Sequence, residues 1–557
     1  MKKIFIIFIL FVAASFTACK KGFLDETPRD FLSGGNAYKT AADFNIAVND
    51  MYRVTRFEFY TRNENHPFDY MYGCDIVFDG QPFTGRHTPM STAYAPVGGG
   101  DIPGTHWSAF YKIISEANAI IDRAPGSSMT DAEKLAVTAK ARFFRAFAYR
   151  SLAYLFGGVP LVLNEVTSPK TDFVRATRQQ VYLQAIDDLK FAVTNLPSIQ
   201  AVRDGEISKQ AASHLLAEVY LAAGQFQNAV DAATDVIGDT NVRLMTTRFG
   251  TKSTVATGNV YWDLFQPGNQ NRKGGVNLEG LWVIQFETDV LGGSSNTAGQ
   301  PNNYLLERHV GPHFNLTPIS PNPFVYPTSD LTGGRGVGWA LSTRHFSNTI
   351  WQSDWNNDIR NANINFVRNI PSKNPASPFN GQNISTENPP AGITVPSRNF
   401  YAYQAKATTP GGHPAALYEN AATGLLKNGA GGTYLDQYMF RLAETYFIRA
   451  EAYLGLNRKD LAANDINTVR ARSNANPVLE ANLDIDYILD ERLRELGYEE
   501  KRRLTLMRLG LWYDRVTRFN PYYAAMALPH YNLWPIPQSE IERNNTAVLE
   551  QNPGYPR

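Results

Sequence analysis

Cysteine is nearly absent. The 557 residues hold two, Cys19 and Cys74, too few for a disulfide framework, so the fold must rest on an ordinary core. An excess of charge is lacking as well: 53 Lys+Arg stand against 52 Asp+Glu, a formal +1, which excludes the basic footprint of a nucleic-acid binder and a long acidic tail. No apolar run reaches the ~20 residues that a membrane-spanning helix needs. Catalytic signatures are missing too. The H-E-x-x-H spacing of zinc proteases does not occur, and the closest histidine pair, His309 and His313, encloses Gly311-Pro312, which breaks the helix needed to align two rings. Gly98-Gly99-Gly100 lacks the Lys-Ser/Thr of a phosphate loop. Asp354-x-Asn356-x-Asp358 begins like a calcium loop, but Ile359 takes the turn-glycine position and Asn365 the terminal glutamate position, so it reads as a loop with satisfied polar groups. No metal, no cofactor and no enzymatic activity are expected.

What is present is globular in composition, with 43% hydrophobic and 19% charged residues. Aromatic residues make up 12%; they offer flat apolar faces that suit cores and binding surfaces alike. The N-terminus reads as an address. Lys2 and Lys3 precede the apolar run Ile4 to Ala14, which has the length of a signal h-region. Phe16-Thr17-Ala18-Cys19 resembles the lipobox of bacterial lipoproteins, in which small residues precede a cysteine that is lipidated. Residues 1–18 are therefore expected to be a signal peptide and Cys19 the lipid-bearing first residue of a tether, 19–35. The mature chain is expected to touch the membrane through that lipid alone, with no second spanning run.

Beyond the tether the chain divides into a helical part over 36–240, a variable loop-rich region over 241–433, and a second helical part over 434–557. Thr130 and Glu133 have capping-box spacing, which predicts a long helix from there to Gly157-Gly158. Its apolar stripe is Leu135, Ala139, Phe143, Ala146, Phe147, Tyr154 and Leu155. Lys209 to Ile237, interrupted at Gly224, predicts a helix pair, and Leu442 to Arg472 repeats it: a shift of 233 positions lays Ala217-Glu218, Tyr220-Leu221 and Ala229 on Ala450-Glu451, Tyr453-Leu454 and Ala462. Small residues at a helix crossing with a Tyr-Leu pair near the turn are features of tetratricopeptide-like pairs, which need stacked neighbours to bury their apolar faces. The expected class is mostly α, a tetratricopeptide-like helical-repeat scaffold with a long loop-rich insertion. That insertion has no sustained period yet holds five of the eight tryptophans, Trp262, Trp282, Trp339, Trp351 and Trp355, a composition poorly suited to disorder.

Several strings in order resemble the SusD/RagB family of nutrient-binding outer-membrane lipoproteins of Bacteroidota. They are Cys19 to Asp25 with Pro28, Trp107 to Asn118, Ala141 to Leu161, Arg441 to Glu444 with Arg449 to Ala452, Glu491 to Gly510, and Trp534 to Pro537 with Gln551 to Tyr555. Residues 241–433 stay unmatched. Gly497 to Lys501 departs from the family, which more often shows phenylalanine, glutamate and glycine there. The resemblance implies a tetratricopeptide-like scaffold with a variable binding region, a lipid-anchored place on the cell outer membrane facing the exterior, and capture of an oligosaccharide or peptide. It also implies the role of a lid over a SusC-like TonB-dependent transporter.

A sugar ring has one face of C–H groups and a rim of hydroxyls, so its sites pair aromatic platforms with amide, acid and guanidinium groups. Trp351, Asp354, Trp355 and Asn356 offer both kinds within a short stretch, and Trp339, Tyr94, Phe83 and Arg86 lie in other Gly/Pro-rich segments. These are the candidate ligand-binding residues, while Trp107 is assigned to helix packing. The leading reading is therefore a glycan-binding lipoprotein, with a peptide-binding helical-repeat lipoprotein and a lipid-anchored glycoside hydrolase as the alternatives. Carboxylate pairs such as Asp75 with Asp79, or Glu491 with Glu495, make a glycosidase only at a defined separation across a cleft. Glu491 and Glu495, set among Arg492 and Arg494 on a helix whose stripe is Ile485, Leu489, Leu493 and Leu496, are expected on a solvated or ion-paired face.

Overall fold

The computed structural model describes residues 38–81, 86–97, 102–297, 302–324, 329–408 and 410–556. Cys19, the signal peptide, the tether, Phe83 and Gly98 to Gly100 lie outside them.

Eight helices make the scaffold: α1 (Ala41–Arg56), α2 (Ile102–Arg123), α3 (Asp131–Phe156), α4 (Arg178–Asn195), α5 (Lys209–Ala222), α6 (Phe226–Ile237), α7 (Leu442–Gly455) and α8 (Lys459–Arg472). Their starts are local chemistry. Thr40 with Asp43, Thr130 with Glu133 and Thr177 with Gln180 form reciprocal capping boxes that satisfy free amide donors. Gly157, at φ +76, closes α3 where a side chain would be strained. Each helix from α2 to α6 packs on the next, and α7 then stacks on α6 and on α8. The two similar hairpins, far apart in sequence, are thus consecutive layers of one stack, and Ala217, Ala229, Ala450 and Ala462 are all fully buried at its crossings. Leu135 departs from the expected stripe and is 46% exposed, because it lies in the first turns of α3, before the run from Phe143 to Phe156 that is covered on every side.

Between α6 and α7 the chain leaves the stack and returns through β2 (Gly280–Ile284) paired antiparallel with β4 (Gln437–Arg441). Trp282 on β2 is 1% exposed and meets Phe143, Phe144, Phe147 and Phe440 edge-on or tilted, with centroids 5.6–6.1 Å apart. Such contacts anchor the excursion into the helical core. Trp107 packs likewise against Phe156 and Tyr111.

A second anchor is ionic. Glu491 and Glu495 lie on α9 (Ile485–Glu495) and are completely buried, so the solvated face does not exist and the ion-paired one points inward. Arg360 from the loop-rich region reaches Glu491 at 2.7 Å, Glu495 at 3.0 Å and Asp358 at 2.6 Å. Arg441 meets Glu495 at 2.5 Å and Glu279 at 2.8 Å, and Arg472 joins the same two acids. Loop residues 279, 358 and 360 are thereby tied to α8 and α9 by bonds whose donors and acceptors are both charged, about twice as strong as neutral ones.

Candidate functional site

Strand β1 (Val77–Asp79) pairs antiparallel with β3 (Ala340–Ser342), and the ladder extends one bond further, Gly80 N donating to Trp339 O at 2.8 Å. This short ribbon brings the 64–81 segment against the glycine-rich loop Gly333 to Trp339. Gly338 must be glycine: its φ is +63 and a Cβ would lie 2.2 Å from the Arg398 carbonyl oxygen. The Trp339 ring is half-buried. It stands edge-on to His309 with centroids 5.0 Å apart, and the Arg308 guanidinium sits 5.3 Å from its centre, within cation–π range. Glu64, 37% exposed, faces Arg308 at 3.4 Å.

The platform is rigidly held. His309 is buried, stacks on Phe68 at 3.7 Å, and has both nitrogens engaged, Nδ1 with the Tyr72 hydroxyl at 2.9 Å and Nε2 with the Glu64 carbonyl at 2.8 Å. Burial holds its pKa down to about 3, so the ring is neutral across the physiological range. The contacts run on from Tyr72 to His87, to Asp69 and to Arg86, which grips Asp69 through two bonds of 2.7 and 2.8 Å.

Glu58, His66 and His106, beneath Asp69, are the one group among the described residues whose ligand atoms are close enough for a metal ion. Their geometry suits protons better. The two imidazoles stack at 4.0 Å with 24° between planes, so their in-plane lone pairs run side by side rather than converging. His106 engages Glu58 through Nδ1 and Asp69 through Nε2 at 3.1 Å, and two carboxylate acceptors on one ring favour its protonated form. Burial works against that charge, yet Glu58 and Asp69 outweigh it and raise its pKa.

The other predicted residues are mostly placed elsewhere. Trp351 is fully buried, with Nε1 donating to Phe346 O at 2.8 Å. Tyr94 is 1% exposed and accepts a bond from Arg503 at 2.7 Å. Asp354 is 3% exposed, bound to Arg470 at 2.6 Å and to the Asn476 amide at 2.7 Å. These three are corrected from ligand contacts to packing and pairing groups, because inward partners from distant segments cover them. Trp355 is half-buried under the Arg368 guanidinium, 4.6 Å from its ring, and Asn356 is exposed beside it. Trp339 and Arg86 share one neighbourhood, joined by the chain of contacts through His309 and Tyr72, and Trp355 with Asn356 forms another by adjacency. Two larger hollows lie elsewhere, about 370 Å³ around Arg203 to Glu206, where Trp282 is covered, and about 770 Å³ along Leu161 to Phe173, where Phe173 is half-buried. Sequence reasoning missed Arg308, Glu64 and Arg398; the glycine-dense run ending in Trp339 was the available signal.

Two family models match the chain: one described as starch-binding, associating with the outer membrane, over residues 88–221, and the SusD family over residues 346–555. Together they span more than half of it. The chain belongs to the SusD/RagB family. The second match begins at 346, so the stretch from there to 433, set apart above as unmatched, is family sequence as well. SusD-like protein P2 of Formosa agariphila is 27% identical over 571 aligned residues, covering 100% of both chains. A laminarin-binding SusD-like protein superposes with TM-score 0.66 at 21% identity, covering 93% of this chain and 100% of the other. Surface glycan-binding protein A of Bacteroides thetaiotaomicron, solved with laminarihexaose, gives 0.65 at 18% identity over 91% and 98%. This SusD/RagB member therefore has the tetratricopeptide-like helical fold of its structural neighbours. Among its described residues no helix is long and apolar enough to cross a membrane.

Proposed function

We propose that this SusD/RagB member is a cell-surface glycan-binding lipoprotein that captures an oligosaccharide at Trp339 and passes it to a SusC-like TonB-dependent transporter. The observation that carries the reading is the half-buried Trp339 ring, set edge-on to His309, with the Arg308 guanidinium over it and Glu64 facing Arg308. An indole face takes the C–H side of a sugar, while the guanidinium and carboxylate meet its hydroxyl rim. The glycan ligands of the laminarin-binding protein and of surface glycan-binding protein A support the same class here. Phe83 and Arg86 belong to the same neighbourhood in sequence, and Trp355 with Asn356 makes a second, separate platform.

Each stacked ring contributes on the order of 1 kcal/mol, so a site of two or three rings with hydrogen bonds binds in the micromolar to millimolar range. Calorimetric titration with glycans and with peptides tests this. Trp339→Ala is expected to weaken glycan binding by roughly fivefold, the loss of about 1 kcal/mol, with the helical circular dichroism unchanged. Unaltered affinity in that variant moves the site elsewhere, tighter capture of peptides favours the peptide reading, and shortening of the glycan by pure protein replaces binding with hydrolysis.

The anchor is tested at Cys19. Wild type should incorporate a labelled fatty acid and sediment with outer membranes, since stable anchoring takes more than one acyl chain at about 0.8 kcal/mol per buried methylene. Cys19→Ser should do neither, and label retained in the variant overturns the lipidation. Capture through the wild-type chain from gently solubilised membranes should also recover a barrel protein; its consistent absence argues against delivery.

A further inference from the structure

The Trp339 platform is bordered by more positive than negative charge, and the guanidinium groups nearest to it hold donors they have not used. Arg398 gives its Nε to the Val337 carbonyl at 2.9 Å, two residues before Trp339. No carboxylate lies within ion-pair distance of it among the described residues, and its side chain is half-buried. Burial without a counter-charge accordingly lowers its pKa. Arg308 has its Nε buried without a hydrogen-bond partner, and its one acid contact, Glu64, is at 3.4 Å, longer than a charge-assisted bond. The two arginines meet at one residue: Val337 N donates to the Arg308 carbonyl at 2.9 Å while Val337 O receives Arg398 Nε. Arg335 stands close by, since a Cβ placed on Gly431 would lie 2.4 Å from Arg308 Cγ and 3.5 Å from Arg335 Cβ.

The acids of this neighbourhood do not balance Arg308 and Arg398. Glu307 is 3% exposed and is used inward, accepting from His413 at 2.8 Å and from the Arg335 amide. Glu64 is the exposed one. Burial lowers the pKa of neighbouring His313 to about 4, and Arg398 and then Arg335 add to the fall.

Resting on the reading of Trp339 as a glycan platform, we propose that the oligosaccharide bound there is anionic, its carboxylate or sulfate groups held by Arg308 and Arg398 while the sugar ring lies on Trp339. A guanidinium presents paired N–H donors that match both anions, and an anion would take up the terminal Nη donors of Arg308 and Arg398. Neutral sugars offer hydroxyls, which satisfy the same donors with weaker bonds.

The test compares three tetrasaccharides by calorimetry: a neutral β-glucan, an oligogalacturonate and a sulfated galactan fragment. At low salt at least one anionic probe is expected to bind about tenfold more tightly than the neutral one, an advantage that shrinks as ionic strength rises, and the better of the two identifies the anion. Arg398→Gln should remove most of that advantage, weakening the anionic probe several-fold more than the neutral one, and Arg398→Lys should restore part of it. Arg308→Gln serves as the second variant, and the salt dependence of the wild type stands if either variant folds poorly. Equal affinity for charged and neutral probes, or salt-independent binding, overturns the anionic preference; if Trp339→Ala still weakens both, the glycan-binding reading survives. Failure of every probe to bind overturns both.

Discussion

Replacing Glu495 by alanine should cost about 3–5 kcal/mol of stability, the typical penalty for breaking a buried ion pair by removing one partner. The Glu495 carboxylate has no exposure and receives Arg360 at 3.0 Å and Arg441 at 2.5 Å, with Arg472 on the same oxygen. Without it, three guanidinium groups share Glu279, Glu491, Glu499 and Asp358, and those left short of an acceptor remain where water cannot solvate them. The damage should spread, because these arginines come from three separate segments: Arg360 from the loop-rich region, Arg441 from β4 and Arg472 from α8. Glu495→Gln keeps shape and two polar atoms but loses the charge, and should fall between wild type and alanine. Chemical denaturation followed by circular dichroism measures the loss. An alanine variant within about 1 kcal/mol of wild type would show that the network contributes specificity alone.

Acid should unfold the protein through the same groups. Burial by itself would raise the pKa values of Glu491, Glu495, Asp75 and Asp490, but adjacent cations outweigh it and hold all four low, Glu491 and Asp490 at about 2. Arg360, Arg470 and Arg494 act on Glu491, Arg472 and Arg441 on Glu495, Arg502 and Arg515 on Asp75, and on Asp490 the His345 hydrogen bond together with Arg515. In the unfolded chain these carboxyls titrate near 4. The folded state therefore binds fewer protons between those limits, so its stability is complete above about pH 5 and falls as the pH drops through 4 toward 2. His106 has the opposite sign: its raised pKa adds stability below its unfolded value near 6.5, an increment lost as the pH rises through the folded value. Four carboxylates against one imidazole leave the acid loss dominant. A series of denaturant midpoints from pH 7 to pH 2 checks this, and a midpoint at pH 2.5 equal to that at pH 6 would falsify it.

The parts legible in advance were those whose causes lie within a few residues of each other. Thr130 and Glu133 cap α3 wherever the helix is placed, Gly157 ends it, and the alanines at 217 and 450 mark helix crossings in either hairpin. The fold class and the family strings followed from such features. The site was less legible. Trp339 and Trp351 are both tryptophans in aperiodic, polar surroundings, and neither neighbourhood in sequence distinguishes them. Trp351 is enclosed, with Phe366 against its ring and its Nε1 given to the Phe346 carbonyl, whereas Trp339, on the loop leading into β3, is only half-buried.

Local sequence thus determined the helices, their ends, their repeat and the N-terminal address expected at Cys19, since capping, helical period and chain stiffness act over one or two turns. Tertiary structure alone decided the rest. Glu491 and Glu495, four apart beside arginines of their own helix, fit a solvated face and a buried one equally well. They are buried because Arg360, more than a hundred residues away, and Arg441 and Arg472 arrive to neutralise them. Which aromatic faces stay open, and which guanidinium groups keep unspent donors beside Trp339, are likewise set by partners brought from distant segments, whose positions no short stretch of the chain encodes.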